Sequence, residues 1–140
     1  MRVVIDTNVI VSGLRSKKGA AFRVLEGISK GIVKPVLSQA LFLEYEDVLM
    51  RPGMLPSHMP QEAIERFLNA FIRASELQEV YFRWRPWLPD PHDEFVLELA
   101  VAAGCIPITT NNSRDFLPAS QLGVRVMTPW ELVSELNLTK

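Results

Sequence analysis

Apolar residues follow two patterns along the chain, short runs typical of strands and spaced stripes typical of helices. Runs rich in β-branched residues predict strands at residues 3–5, 33–37, 78–82, 106–109 and 124–127. Stripes at helical spacing predict helices after Asp6, over 19–30, from Ser38, from Pro60, over 93–103 and from Thr128. Strands that alternate with helices favour a parallel sheet covered on both faces. No repeat or boundary divides the chain, so we expect one domain over residues 1–140.

Three stretches predict irregular backbone. Residues 51–60 are rich in Pro, Gly and Ser and indicate a loop, whereas three prolines in 83–91 block both helix and strand pairing. Residues 111–118 are polar and typical of turns. Pro35 lies inside the second predicted strand and predicts limited pairing at that position.

Composition narrows the classes of protein that the chain fits. Of 140 residues, 48% are hydrophobic and 22% charged, and the net charge is −1. Binding of nucleic acid by charge alone is therefore excluded, and any such binding would be local, transient or metal-mediated. The single cysteine, Cys105, excludes an internal disulfide and a cysteine zinc cluster, and we expect it to pack as a small apolar residue. Without a signal-peptide pattern or a long uncharged apolar run, we expect a soluble cytoplasmic protein.

Acidic side chains recur where predicted strands end and helices begin. Asp6 ends the first strand, Asp90 and Asp93 open the apolar helix, and Asp115 follows the fourth strand. Asp6 or Asp93 taken alone fits a helix cap or a favourable helix dipole equally well. Several carboxylates at one sheet edge would repel each other unless a cation lies among them, and oxygen ligands suit Mg²⁺ or Mn²⁺. Because the chain has no P-loop or nucleophile motif, metal-assisted hydrolysis is the chemistry we expect.

One further acid is ambiguous from the residues alone. Glu44 and Glu46 flank opposite edges of the apolar stripe in the helix that begins at Ser38. Helical geometry does not choose between them.

Together these motifs resemble the PIN domain family. The resemblance covers Val-Val-Ile-Asp6-Thr-Asn8, Glu44, Asp90-Pro-x-Asp93 before an Ala/Leu-rich helix, and Ile108-Thr109-x-Asn111 before Asp115-Phe116. It extends from the first strand to the last helix and is strongest to the VapC-like toxins of toxin–antitoxin pairs. It implies a three-layer α/β/α fold around a central, mainly parallel sheet of four to five strands.

The resemblance also implies a set of catalytic acids. Asp6, Glu44 and Asp93 match its first three acids, which selects Glu44 over Glu46. Many relatives carry Asp two residues after the threonine, where this chain has Asn111, and the loop to Asp115 is one residue longer than the commonest form. We therefore expect catalytic groups at Asp6, Glu44, Asp93 and Asp115, and metal ligands at Asp6, Asp93, Asn111 and Asp115.

Other residues are candidates for supporting roles. Thr7, Asn8 and Thr109 match polar motif positions, where they would either orient the acids or cap local backbone. In the prolyl segment, aromatic residues between arginines suit stacking on unpaired bases, although Trp84 and Trp87 suit packing on a core or dimer interface at least as well. The candidate RNA-binding residues are Arg15, Arg83, Trp84, Arg85 and Arg114.

The function that the resemblance implies is a Mg²⁺- or Mn²⁺-dependent endoribonuclease that cleaves single-stranded RNA, with an antitoxin partner and a homodimeric state. Two alternatives remain open. Asn111 in place of an acid favours a weak or inactive PIN-like binding module. A phosphotransfer domain with Asp6 as nucleophile is disfavoured, because such proteins usually need a second Asp where this chain has Asn8.

Overall fold

The computed structural model describes residues 1–81 and 91–138 of the chain, with the side chains of residues 91 and 92 excepted. Its strands are β1 (Arg2–Ile5), β2 (Lys34–Leu37), β3 (Glu76–Leu77), β4 (Ile108–Thr109) and β5 (Val126–Met127). Its α-helices are α1 (Thr7–Arg15), α2 (Ala20–Ser29), α3 (Gln39–Leu49), α4 (Gln61–Ala74), α5 (Pro91–Ala102) and α6 (Pro129–Glu135). A 3₁₀ segment spans Ser113–Leu122.

The five strands form one parallel sheet in the order β3-β2-β1-β4-β5. Helices pack on both of its faces, which confirms the predicted three-layer architecture. The chain fills one half of the sheet from β1 outward and then returns to add β4 on the other side of β1. The strand order therefore reverses between β1 and β4. Ligand sites in open α/β sheets form at such a reversal, beyond the carboxyl ends of the strands.

Local signals explain where the helices begin. The Ser38 side chain accepts a hydrogen bond from the Leu41 amide and caps α3. Thr128 and Glu131 form the predicted capping box at the start of α6. Both helix starts were predicted correctly because a cap depends only on residues within one turn.

Pro35 is accommodated inside the sheet. The Lys34 amide donates to the Met1 carbonyl on the β1 side, so the Pro35 nitrogen faces the β3 side. There β3 pairs with β2 only from Val36 onward. The missing N–H therefore costs no ladder hydrogen bond.

Three predicted elements differ from the structure. β3 lies at Glu76–Leu77 and not at 78–82, because this short edge strand has no apolar run and Leu77 is 69% exposed. α5 begins at Pro91, two residues before the predicted start, since proline fits the first turn of a helix. Residues from Ser113 form a 3₁₀ helix where turns were predicted. Residues 82–90, with most of the predicted irregular segment, lie outside the described residues.

Cys105 is exposed, so the prediction that it packs as a small apolar residue is wrong. After α5 the chain reverses through Gly104 and Cys105, which both have positive φ, 102° and 60°. This reversal turns the thiol outward, where it lies 3.4 Å from the Leu122 carbonyl oxygen. Its apolar sequence neighbours did not reveal the turn.

Helices α1 and α2 approach closely at Gly13. A Cβ atom at this position would lie 2.6 Å from Leu25 Cδ1 and 3.2 Å from the Ala21 carbonyl oxygen. The glycine thus lets α2 pack closely against α1, the helix that begins directly after Asp6. Within residues 1–81 and 91–138, the helices are too short or too polar to cross a membrane.

Candidate active site

Asp6 lies at the reversal of strand order, between the end of β1 and the start of α1. It occupies the N-cap position of α1, yet its side chain makes no capping hydrogen bond. Its Oδ2 instead accepts a hydrogen bond of 2.7 Å from Thr110 Oγ1, directly after β4. The side chain is directed across the switch point, and with 7% of its surface exposed the residue is buried.

The pKa of Asp6 is raised from 3.8 to about 6, chiefly because burial disfavours its charged form. The negative charges of Glu44 and Asp115 raise the pKa further, while hydrogen bonds from Thr110 and from the Thr7 backbone lower it. Two of the predicted acids therefore act on Asp6 through space. A group titrating near neutrality beside other acids is typical of a functional site.

Glu44 reaches the same site from α3. Thr7 Oγ1 donates a hydrogen bond of 2.7 Å to Glu44 Oε2, so the first residue of α1 holds this carboxylate. Glu46 is exposed on the same helix and is absent from the cleft that contains Asp6. The structure thus brings Glu44, and not Glu46, to Asp6.

An open cleft of about 440 Å³ extends from Asp6. Its lining includes Glu44 and Asp93, so the residue that follows β1 meets residues from α3 and α5 there. Asp115 is exposed and does not line the cleft, although its charge reaches Asp6. The charged residues of the lining are Asp6, Arg15, Glu44, Asp47, Arg51 and Asp93.

Thr110 connects Asp6 and Asn8, which follow β1, to the loop after β4. Sequence analysis did not identify this residue. Besides donating to Asp6, its Oγ1 accepts from the Asn112 amide at 3.1 Å and from Asn8 Nδ2 at 3.4 Å. Thr109, the predicted orienting residue, points elsewhere: within the described part of the chain its buried Oγ1 has no hydrogen-bond partner. Its carbonyl accepts a hydrogen bond from the Asp6 backbone amide. Two adjacent threonines give no sequence signal for which one faces the acid.

This register changes the interpretation of the following loop. Counting from Thr110, the residue two positions on is Asn112, and the interval to Asp115 is one residue shorter. Counted from Thr109, the loop to Asp115 is one residue longer than the commonest form. Counted from Thr110, it has the common length. The residue two positions after the threonine is an asparagine in either register, Asn111 or Asn112.

Asn111 connects the loop after β4 to α1 through hydrogen bonds. Its Nδ2 donates to the Asn8 carbonyl at 3.2 Å and to Ser12 Oγ at 2.9 Å, and its backbone amide donates to Asn8 Oδ1 at 3.1 Å. Asn8 therefore holds the loop after β4, as expected of a residue that orients the site. Asn111 as a metal ligand stays a prediction.

Tyr45 supports the site from within the core. Its hydroxyl donates to the carbonyl of Ile5, the residue before Asp6. Burial, together with the charges of Asp6 and Glu44, raises the pKa of Tyr45 well above its usual value, so the hydroxyl keeps its proton. Sequence analysis placed Tyr45 only on the apolar face of α3 and did not foresee this polar contact.

The donor types suit a hard cation, since the cleft offers carboxylates and hydroxyls. Within the described residues, however, no three acidic, histidine or cysteine side chains are close enough to hold a metal ion. The charges of Glu44 and Asp115 also raise the pKa of Asp6, although less than burial does, and a divalent cation would offset this repulsion. By donor type alone, Asp6, Glu44 and Asp93 are therefore the candidates to hold such an ion.

The predicted RNA-binding residues separate into three groups. Arg15 lines the cleft, whereas Arg114 is exposed and does not line it. Arg83, Trp84 and Arg85 lie outside the described residues.

Comparison with known proteins agrees with this geometry. The family model described as the PIN domain matches residues 2–114. The fold is similar to that of VapBC2 from Rickettsia felis bound to a DNA fragment from their promoter, with a TM-score of 0.60 and 14% identity over 91% of this chain and 98% of that chain. It is equally similar to FitAB bound to an IR36 DNA fragment, with a TM-score of 0.60 and 17% identity over 93% and 96% of the two chains. No curated protein sequence matches significantly.

Proposed function

Because the chain belongs to the PIN domain family, we propose that it is a Mg²⁺- or Mn²⁺-dependent endoribonuclease that cleaves single-stranded RNA in the cytoplasm. The observation that carries this proposal is Asp6, a buried carboxylate with a pKa near 6 that shares a cleft with Glu44 and Asp93. A solvated surface acid has no such environment. The net charge of −1 further supports a reaction in which a cation offsets repulsion between acids and phosphate.

In this proposal Asp6, Glu44 and Asp93 would hold the divalent ion. Mg²⁺ or Mn²⁺ bound there would supply an activated water and stabilise the leaving oxygen of the phosphodiester. Thr110 and Thr7 keep the carboxylates of Asp6 and Glu44 in fixed orientations through their 2.7 Å hydrogen bonds. Asp6 must be ionised to act as a ligand, so we expect cleavage to weaken as the pH falls through about 6.

Glu44 and Glu46 provide a matched test of the site. Glu44→Gln is expected to lower divalent-dependent RNA cleavage at least about a hundredfold, because it removes a charge facing Asp6. Glu46→Gln removes the same charge from the exposed part of the same helix and is expected to leave cleavage unchanged. Initial rates on a labelled single-stranded RNA, with and without EDTA, provide the measurement.

Circular dichroism and thermal melting check that both variants remain folded. Equal activity of the two folded variants would contradict a role for Glu44. A larger loss in Glu46→Gln would assign the site to the other edge of α3.

The alternative is a PIN-like module without catalysis, favoured by the absence of three converging acids in the described part of the chain. The two proposals differ in metal binding. The ribonuclease proposal predicts that calorimetry detects Mn²⁺ binding with millimolar or tighter affinity, and that Asp6→Asn removes it. No heat of binding in the wild-type protein, together with no RNA cleavage, would favour the binding module.

We further propose that the protein acts as a toxin held by an antitoxin, and that it forms a homodimer. The similarity in fold to VapBC2 and FitAB supports the partner. Coexpression with the product of an adjacent small reading frame tests it, because an antitoxin is expected to copurify and suppress cleavage. Light scattering of the purified protein measures the oligomeric state.

A further inference from the structure

The cleft continues past the acids to a rim that carries positive charge. Along α1 the residues Asn8, Ser12 and Arg15 line it at intervals of three to four, and Glu44, Val48 and Arg51 do the same along α3 and just past its end. Seven residues of helix span roughly 10 Å. Each helix therefore presents a polar or acidic group near β1 and an arginine about 10 Å further along the cleft.

Arg15 is held at this rim by neutral acceptors. Its Nε donates to the Met54 carbonyl at 2.7 Å, and its Nη2 lies 3.7 Å from Met54 Sδ. Among the described residues it forms no ion pair with a carboxylate, so these contacts position the guanidinium without neutralising it. The loop after α3 thus fixes a positive charge beside an acidic site.

Arg51 is paired, but through a contact that is easily exchanged. Its Nη2 lies 2.7 Å from Asp47 Oδ2, and the two side chains are 54% and 67% exposed. An exposed pair of this kind contributes little to stability. A phosphate, which accepts bidentate hydrogen bonds from arginine, can take the place of Asp47 at small cost.

We propose that Arg15 and Arg51 form a phosphate clamp, which binds the backbone of the single-stranded RNA at a phosphate other than the one that is cleaved. This inference rests on the proposed ribonuclease function and adds the direction of the substrate. The RNA runs from the acids at the end of β1 toward the ends of α1 and α3. In a chain without net positive charge, two guanidiniums at the rim supply the local attraction that a polyanion requires.

The clamp is tested by the affinity of a labelled, mixed-sequence single-stranded RNA, measured by fluorescence anisotropy in EDTA so that no cleavage occurs. Arg15→Gln/Arg51→Gln is expected to weaken binding about tenfold or more, since hydrogen bonds between charged groups are lost. The slope of log affinity against log salt should fall by about 0.7, because the two arginines of the clamp share one phosphate and each phosphate contact with a single strand contributes roughly 0.7.

Three further variants test the effect of net charge, the pairing of Arg51 with Asp47, and the folding of the loop after α3. Arg66→Gln/Arg73→Gln removes the same charge from exposed positions on α4 outside the cleft and is expected to leave affinity and slope unchanged. Asp47→Asn frees Arg51 and is expected to tighten binding about twofold. Arg51→Gln alone keeps the contact between Arg15 and Met54, so the test does not depend on the loop after α3 staying in place.

The clamp and the ribonuclease can fail separately. If Arg15→Gln/Arg51→Gln binds RNA like the α4 control while Glu44→Gln abolishes cleavage, the clamp is overturned and the ribonuclease stands. If the clamp variant loses binding and salt dependence while the wild-type protein cleaves no RNA, the clamp stands and catalysis is overturned. In an active protein, the clamp variant should raise KM more than it lowers kcat.

Discussion

Replacing Asp6 with asparagine is expected to abolish divalent-dependent RNA cleavage and, at pH 7, to increase the free energy of unfolding. Activity is lost because the neutral amide cannot replace the carboxylate that holds a cation. Stability rises because an ionised, buried Asp6 beside Glu44 and Asp115 lowers the free energy of unfolding of the wild-type protein, and the neutral amide removes this effect. The difference between a pKa of 3.8 and one of about 6 corresponds to roughly 3 kcal/mol as an upper bound.

The sign follows from the proton balance. Between pH 3.8 and about 6, the folded protein binds more protons at Asp6 than the unfolded chain does, so stability falls as the pH rises through this window. Below it Asp6 is protonated in both states and the penalty vanishes. The stability advantage of Asp6→Asn should therefore be small near pH 3.5, grow up to about pH 6 and remain constant above it.

Urea unfolding in EDTA at several pH values measures this advantage, and RNA cleavage in Mg²⁺ or Mn²⁺ measures activity. Glu46→Gln is the control, because it removes a charge from an exposed position. A variant that unfolds more easily than wild type at pH 7 and still cleaves RNA would contradict both parts of the prediction.

The second large effect is expected at two adjacent threonines. Replacing Thr110 should lower activity, whereas replacing Thr109 should raise stability and leave activity unchanged. Thr110→Val is expected to lower activity about 10- to 100-fold, as is typical when a group that orients a metal ligand is lost. It removes the hydrogen bond that lowers the pKa of Asp6, so the acid limb of the pH–activity profile should move to higher pH. Thr110→Ser keeps the hydroxyl and should restore both properties.

Thr109→Val is the matched control. Its Oγ1 is buried and has no hydrogen-bond partner among residues 1–81 and 91–138, so replacement by a methyl group of similar size is expected to stabilise the fold by about 1–2 kcal/mol. Activity should remain at the wild-type level. Thermal melts and initial rates of the three variants test the pair, and a loss of activity in Thr109→Val exceeding that in Thr110→Val would reverse the assignment.

The sequence predicts what depends on local pattern. The buried strand before Asp6, the capped starts of α3 and α6 and the alternation of strands with helices follow from short-range rules, and the structure confirms them. β3 is predicted two residues too late, since its pairing with β2 depends on tertiary contacts and not on an apolar run. The prediction that Cys105 is buried is wrong for a related reason, because the hydrophobicity pattern does not indicate a chain reversal at positive φ.

The acids of the site can be predicted from the sequence, but the hydrogen bonds that orient them cannot. Asp6, Glu44 and Asp93 can be selected because the motifs resemble a family and because strand ends converge. The hydrogen bond from Thr110 to Asp6 joins residues 104 positions apart, and a shift of one residue would direct Thr109 there instead. Tyr45 has the spacing of a core residue, so its bond to the Ile5 carbonyl emerges only from the packing of α3 on β1.

The reversal of strand order also affects how the protein folds during its synthesis. β1 is synthesised first, yet its partner β4 and the threonine that contacts Asp6 come more than 100 residues later. A nascent chain on the ribosome therefore carries Asp6 and Glu44 without the strand that completes their surroundings. In the proposed ribonuclease, activity would arise only after β4 has been synthesised, so that shorter nascent chains could not cleave RNA beside the ribosome that makes them.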